Sequence, residues 1–135
     1  MSKNPNVYRL SIISVSAVLA VGMIISIINL EPIALGQSKT SSVSIVKGAS
    51  NPSITEPYSP SRLTISVGTT VTWTNNDNTG HTVTEGNPSG NTPPNGFDSG
   101  ILAPGKMFTH YFDTVGTIQY YCTLHPTMLG EIIVK

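Results

Sequence analysis

The chain has 135 residues, with seven Lys plus Arg against seven Asp plus Glu, and charged residues make up only 10% of it. A formal net charge of zero excludes the basic excess of a nucleic-acid binder and argues against an acidic disordered tail. The single cysteine excludes a disulfide within the chain.

Lys3 and Arg9 precede residues 10–30, a run of 21 residues without a charge. As a helix this run would span about 31 Å, enough to cross a bilayer. Cations before it and Glu31 after it place the rest of the chain outside the cytoplasm. Residues 1–30 therefore read as a signal peptide or a transmembrane anchor. Ala34-Leu35-Gly36 offers a small-x-small cleavage site, whereas the run exceeds the about 7–15 apolar residues of a usual signal core. Both readings give an extracytoplasmic domain, and the anchor reading tethers it to the membrane. A lipoprotein anchor is excluded, because the only cysteine is Cys122.

Residues 31–42 read as a linker, polar from Gln37 onward. Residues 43–135 then make one domain, too short for two. Short alternating runs predict strands at 42–47, 62–67, 69–74, 81–84, 107–113, 117–122 and 131–135. Val43 with Ile45, Leu63 with Ile65 and Val67, and Val71 with Trp73 mark inward faces. Val67-Gly68, residues 75–80, Pro104-Gly105 and Gly116 mark turns. Residues 48–60 and 86–96, each with three prolines, read as loops. Strands without a helical pattern predict an all-β sandwich or barrel.

The chemistry gathers near the C-terminus. Cys122, His125 and Met128 stand three residues apart, between the last two predicted strands. His81 opens a strand about forty residues earlier, after the turn at 75–80. Two imidazoles and a thiolate with a weak thioether form the ligand set of a mononuclear copper site. Thiolate and thioether hold Cu(I), and imidazole holds both oxidation states. Structural zinc favours four strong ligands, usually with more cysteines, so Met128 argues against zinc. Each of these residues alone reads as an ordinary buried side chain; the joint spacing carries the metal reading.

The segments GTTVTWTNNDNTGHTVTEG around His81, FDSGILAPGKMFTHYF, and YYCTLHPTMLGEIIVK resemble those of the plastocyanin-like cupredoxins, with the short ligand loop of the amicyanin type. The resemblance covers about residues 43–135. It implies a Greek-key β-sandwich holding one type 1 (blue) copper ion through His81, Cys122, His125 and Met128. It further implies one-electron transfer between larger redox proteins rather than enzymatic catalysis. Donor and acceptor would dock transiently around His125, on Leu124, Pro126, Thr127 and Leu129 with Leu102 and Pro104 beside them. Relatives often carry Asn just after the first His, bracing the ligand loop; Thr82 stands there in this chain, with a hydroxyl able to bond similarly.

His110 shares a face with Phe108 and Phe112 and reads as a buried, hydrogen-bonded structural histidine. Trp73 and one of Tyr120 and Tyr121 read as core. Asp98 and Asp113 read as turn residues. The expected protein is a monomer without nucleic-acid partners, attached to a membrane through residues 10–30 if that segment is uncleaved. The competing class is copper storage or delivery without electron transfer. Delivery sites usually show extra Met or His, and beyond residue 36 the only methionines are Met107 and Met128.

Overall fold

The computed structural model describes residues 37–135. The apolar run at 10–30, and with it the choice between anchor and signal peptide, lies outside the described residues. The strands are β1 (Lys39–Ile45), β2 (Tyr58–Ser59), β3 (Arg62–Ile65), β4 (Thr69–Asn75), β5 (Thr84–Glu85), β6 (Met107–Phe112), β7 (Gly116–Tyr121) and β8 (Leu129–Val134). They form two four-stranded sheets, ordered β2-β1-β4-β6 and β3-β8-β7-β5. Consecutive strands repeatedly change sheet, so β1 lies parallel to β4 and β3 parallel to β8. The pairs β4–β6 and β7–β8 are antiparallel. This is the expected all-β sandwich, with no helix among the described residues.

Period-2 alternation explains which residues face inward. In β4, Thr69, Val71, Trp73 and Asn75 are buried, while the threonines between them are half-buried. Val43 lies opposite Trp73 across the parallel pair, and Phe108 lies opposite it on the other side. The Trp73 ring meets Phe97, Phe108, Phe112 and Tyr120 at centroid distances of 5.5–6.3 Å. Burying a large apolar side chain in such a cluster contributes roughly 1.5–3 kcal/mol. In β8, Gly130 lies opposite Tyr120. A Cβ at Gly130 would fall inside the Tyr120 ring, so only glycine lets that ring lie across β8. This contact fixes both ends of the connecting loop, because Cys122 follows Tyr120 by two residues and Met128 precedes Gly130 by two.

Four details depart from the alternation pattern. The first strand begins at Lys39 rather than 42, because pairing with β4 extends back to the Lys39–Thr69 register. A two-residue strand, Tyr58–Ser59, interrupts the stretch expected to be loop, and buried Tyr58 pairs with Ile45. The strand expected from 62 stops at Ile65, leaving Val67 exposed. The strand expected at 81–84 contracts to Thr84–Glu85, and His81 instead forms an isolated bridge with Leu102.

Candidate metal centre

Two connections at one end of the sandwich build the site. The first leaves β4 through residues 76–80 and ends at His81. Asn75, fully buried, organises that turn: its Nδ2 donates to the carbonyls of Thr79 and Leu102, both at 2.8 Å, and its Oδ1 accepts the Asp77 N–H. His81 is then held in place by two backbone bonds with Leu102, of 3.2 and 2.7 Å.

The second connection is the loop between β7 and β8. Its backbone closes on itself: Cys122 N–H donates to the Met128 carbonyl, His125 N–H to Cys122, and Met128 N–H to His125. A loop this tight turns the side chains of Cys122 and His125 toward one point. Cys122 and Met128 are buried in the core cluster, and His125 is half-buried.

The ligand atoms of His81, Cys122 and His125 all lie within 4.8 Å of one another. Cys122 Sγ is 3.9 Å from His81 Nδ1 and 3.7 Å from His125 Nδ1. An ion about 2.0–2.3 Å from each donor in a trigonal plane would space sulfur and nitrogen about 3.7 Å apart. The two sulfur–nitrogen spacings therefore fit an ion held by two imidazoles and a thiolate.

Three comparisons agree with that geometry. Residues 43–135 match copper binding proteins of the plastocyanin/azurin family. The chain belongs to that family. It is 36% identical over 84 residues to the chloroplastic plastocyanin of Tetradesmus obliquus, covering 58% of this chain and 58% of that one. It is 30% identical over 78 residues to the amicyanin of Paracoccus versutus, again covering 58% of each. The matches thus span less than two thirds of those relatives' length. Among solved structures, a purple cupredoxin from Nitrosopumilus maritimus superposes with a TM-score of 0.64 at 35% identity, covering 70% of this chain and 99% of that one. An amicyanin variant in its Cu(I) form superposes with a TM-score of 0.57 at 26% identity, covering 71% and 82%. The metal of this plastocyanin-like cupredoxin is copper.

Thr82 takes up the bracing position after the first histidine. Its N–H donates to Cys122 Sγ at 3.3 Å, and its Oγ1 accepts the Thr123 N–H at 2.9 Å. A hydroxyl thus ties the His81 segment to the ligand loop. The tie continues outward, with Thr84 Oγ1 3.0 Å from Thr82 Oγ1 and 3.1 Å from Asp98 Oδ1. Asp98, expected only as a turn residue, both ends this chain and accepts the Gly100 N–H. Tyr58 adds a further tie, donating to the Thr82 carbonyl at 2.6 Å. Burial, and then the nearby Cys122 and Tyr120, push the Tyr58 phenol far above its usual range, so it stays a neutral donor.

Two residues that sequence reasoning passed over stand behind His81. His81 Nε2 lies 2.8 Å from Asp77 Oδ2, with side chains 0% and 1% exposed. Burial alone would raise the Asp77 carboxyl. Hydrogen bonds from Gly48 N–H, His81, Asn78 N–H and Thr79 outweigh burial and hold it below the usual carboxylate range. Asp77 and Asn75 fall within the turn that the sequence pattern marks at 75–80. The available signal was an Asx-rich turn four residues ahead of a candidate ligand, since Asn and Asp side chains bond backbone two residues on.

The surroundings of His125 also differ in part from expectation. Leu124 and Leu129 are exposed, as are Pro126 and Thr127. Leu102 is only 6% exposed and turns inward, so it does not join this surface; its neighbour Ile101 is 69% exposed. His110 does share its face with Phe108 and Phe112, but it is half-buried rather than buried. Its ring packs against Phe97 and Phe112 at 4.6 and 4.8 Å, without the expected hydrogen bond to any of the described residues. It lies outside the metal cluster.

Proposed function

We propose that this cupredoxin is an extracytoplasmic one-electron carrier and not an enzyme, with a type 1 copper held by His81, Cys122, His125 and Met128. The observation that carries this reading is a thiolate and two imidazoles already at ligand spacing inside a hydrogen-bonded frame. Bound copper would supply the Cu(II)/Cu(I) couple, and the Met128 thioether would be its fourth, weak donor. The protein's part is to hold the donors still. Thr82 braces Cys122, Leu102 clamps His81, and the closed 122–128 backbone holds His125. Ligands that do not move between oxidation states make electron transfer fast.

Redox donor and acceptor would meet the chain transiently around His125, on Leu124, Pro126 and Leu129, with Ile101 and Thr127 at the rim. A small apolar patch suits brief encounters between proteins. The neutral surface favours no nucleic acid, and the chain acts as a monomer. The apolar run at 10–30 supports export, with membrane tethering if it stays uncleaved. Mass spectrometry of the native N-terminus tests that point: a start at Gln37 means a released protein.

Voltammetry of the copper-loaded full chain should give a reversible one-electron wave. Tight copper binding without such a wave would favour storage or delivery instead. Replacing the thioether by an amide, Met128→Gln, should keep copper bound and favour Cu(II). A tenfold shift in the Cu(I):Cu(II) ratio lowers the potential by about 59 mV. An unchanged potential would remove Met128 from the ligand set. A purple rather than blue colour, as in the name of the Nitrosopumilus protein, would keep the copper–thiolate bond and change only the geometry around it.

A further inference from the structure

The Nδ1 edge of His81 faces Cys122, and its Nε2 edge rests on a carboxylate buried as deeply as the ring itself. Asp77 is unusual in what surrounds it. Its Oδ1 accepts the N–H groups of Gly48 and Asn78, both at 2.8 Å. Its Oδ2 faces the Thr79 hydroxyl at 3.1 Å and His81 Nε2 at 2.8 Å. All these donors other than the imidazole are formally neutral groups. Among the described residues no Lys or Arg nitrogen comes within 4.0 Å of it, the other ion pair being Arg62 with Glu131. A buried negative charge is costly without a compensating positive charge or a full set of donors. Here the donors are supplied from two loops, and the charge remains beside the ligand.

We propose that Asp77 is a positioning residue of the copper centre: it fixes His81 with its proton on Nε2 and biases the centre toward the oxidised ion. This rests on the proposed ligand set, because Nδ1 of His81 must carry the metal. Two consequences follow from the geometry. A carboxylate accepting from Nε2–H leaves Nδ1 unprotonated and aimed at the thiolate, so the ring needs no tautomer change on loading. The thiolate and Asp77 together bring two negative charges, which neutralise Cu(II) but leave Cu(I) with a net negative charge. The same carboxylate therefore stabilises the oxidised state more than the reduced one. Its link to Gly48 also joins the β1–β2 connection to the metal site.

The test compares metal affinities and potential in the full chain. In Asp77→Asn the charge goes and one of the two acceptor positions becomes a donor. Cu(II) affinity should fall about 10–100-fold, the usual loss for a carboxylate behind a ligating histidine. Cu(I) affinity should fall at least tenfold less, so the potential rises by at least about 59 mV. Equal losses for both ions in Asp77→Asn, or no loss, would overturn the proposal. The visible copper–thiolate band separates the two readings: if the band persists with an unchanged potential, the role of Asp77 falls and the ligand set stands. Should Asp77→Asn not fold, nitrogen NMR of the wild-type Cu(I) protein decides. A slowly exchanging proton on His81 Nε2 supports the proposal, and a proton-free Nε2 overturns it.

Discussion

His81 and His125 face the same thiolate from opposite surroundings. His81 is fully buried, clamped by Leu102 in front and by Asp77 behind, and its turn is knitted together by the Asn75 side chain. His125 sits half-buried on a loop of six residues between Cys122 and the start of β8, with Leu124 and Leu129 exposed beside it at 48% and 51%. Its ring lies 5.0 Å from that of His81, so the two environments are separated by little more than the metal pocket. The difference assigns the labour. On the proposed function, the His81 wall sets geometry and charge, and the His125 wall gives partners their approach. Changes to the first should alter stability and potential, and changes to the second should alter rates alone.

The largest effect is expected on the buried wall. Asn75→Ala leaves the Thr79 carbonyl and the Asp77 N–H without their partner, while the Leu102 carbonyl keeps the His81 N–H. At about 1–3 kcal/mol for each unsatisfied buried group, the metal-free protein should lose at least about 2 kcal/mol in a urea titration. A loss below 1 kcal/mol would show that the turn holds itself without Asn75. Thr82→Val is the intermediate case, because it keeps the N–H to Cys122 Sγ and removes the hydroxyl that Thr123 N–H and the Thr84 hydroxyl meet. It should cost about 1–2 kcal/mol and loosen the ligand loop, seen as faster amide exchange at Thr123. Unchanged exchange there would place the brace elsewhere.

On the exposed wall, Leu124→Asp should leave stability within about 0.5 kcal/mol and the spectrum unchanged. It should slow self-exchange between Cu(I) and Cu(II) copies about tenfold, because two like charges then meet in the encounter. NMR line broadening in mixed samples measures this, and an equal rate would move the contact surface away from Leu124.

The approach of His125 to Cys122 was legible because Cys-x2-His is local: strand, tight loop and strand keep those residues together whatever the rest does. Trp73 and Val71 were legible for a similar reason, since alternation in β4 decides their face. What pairs distant segments was not legible. Tyr58 becomes a strand residue only because Ile45 lies opposite it, and two flanking prolines hid that. Leu102 and Ile101 differ by one position, and the His81 bridge decides which of them turns inward. Asp77 gives no hydrophobic signal, so its burial behind His81 depended on the turn around Asn75.

The smallest effect belongs to His110, remote from both walls. Burial lowers its pKa from the usual value, outweighing the raising influence of Glu85 and Asp113. The folded state thus disfavours the proton. The stability this contributes is present above the unfolded value of about 6.5 and is lost as pH falls below it toward the folded pKa. His110→Gln should flatten that part of the stability curve of the metal-free protein between pH 7 and 5. A curve of identical slope would mean that His110 titrates alike in both states.

The central claim is that the Cys122 thiolate and two imidazoles hold a redox-active copper. Optical titration of the full chain with Cu(II) tests it most directly. An intense visible charge-transfer band should grow to one equivalent and then stop, and Cys122→Ser should abolish it while the far-UV β signal remains. A band of equal intensity in Cys122→Ser, or none in the wild-type chain, would contradict the account.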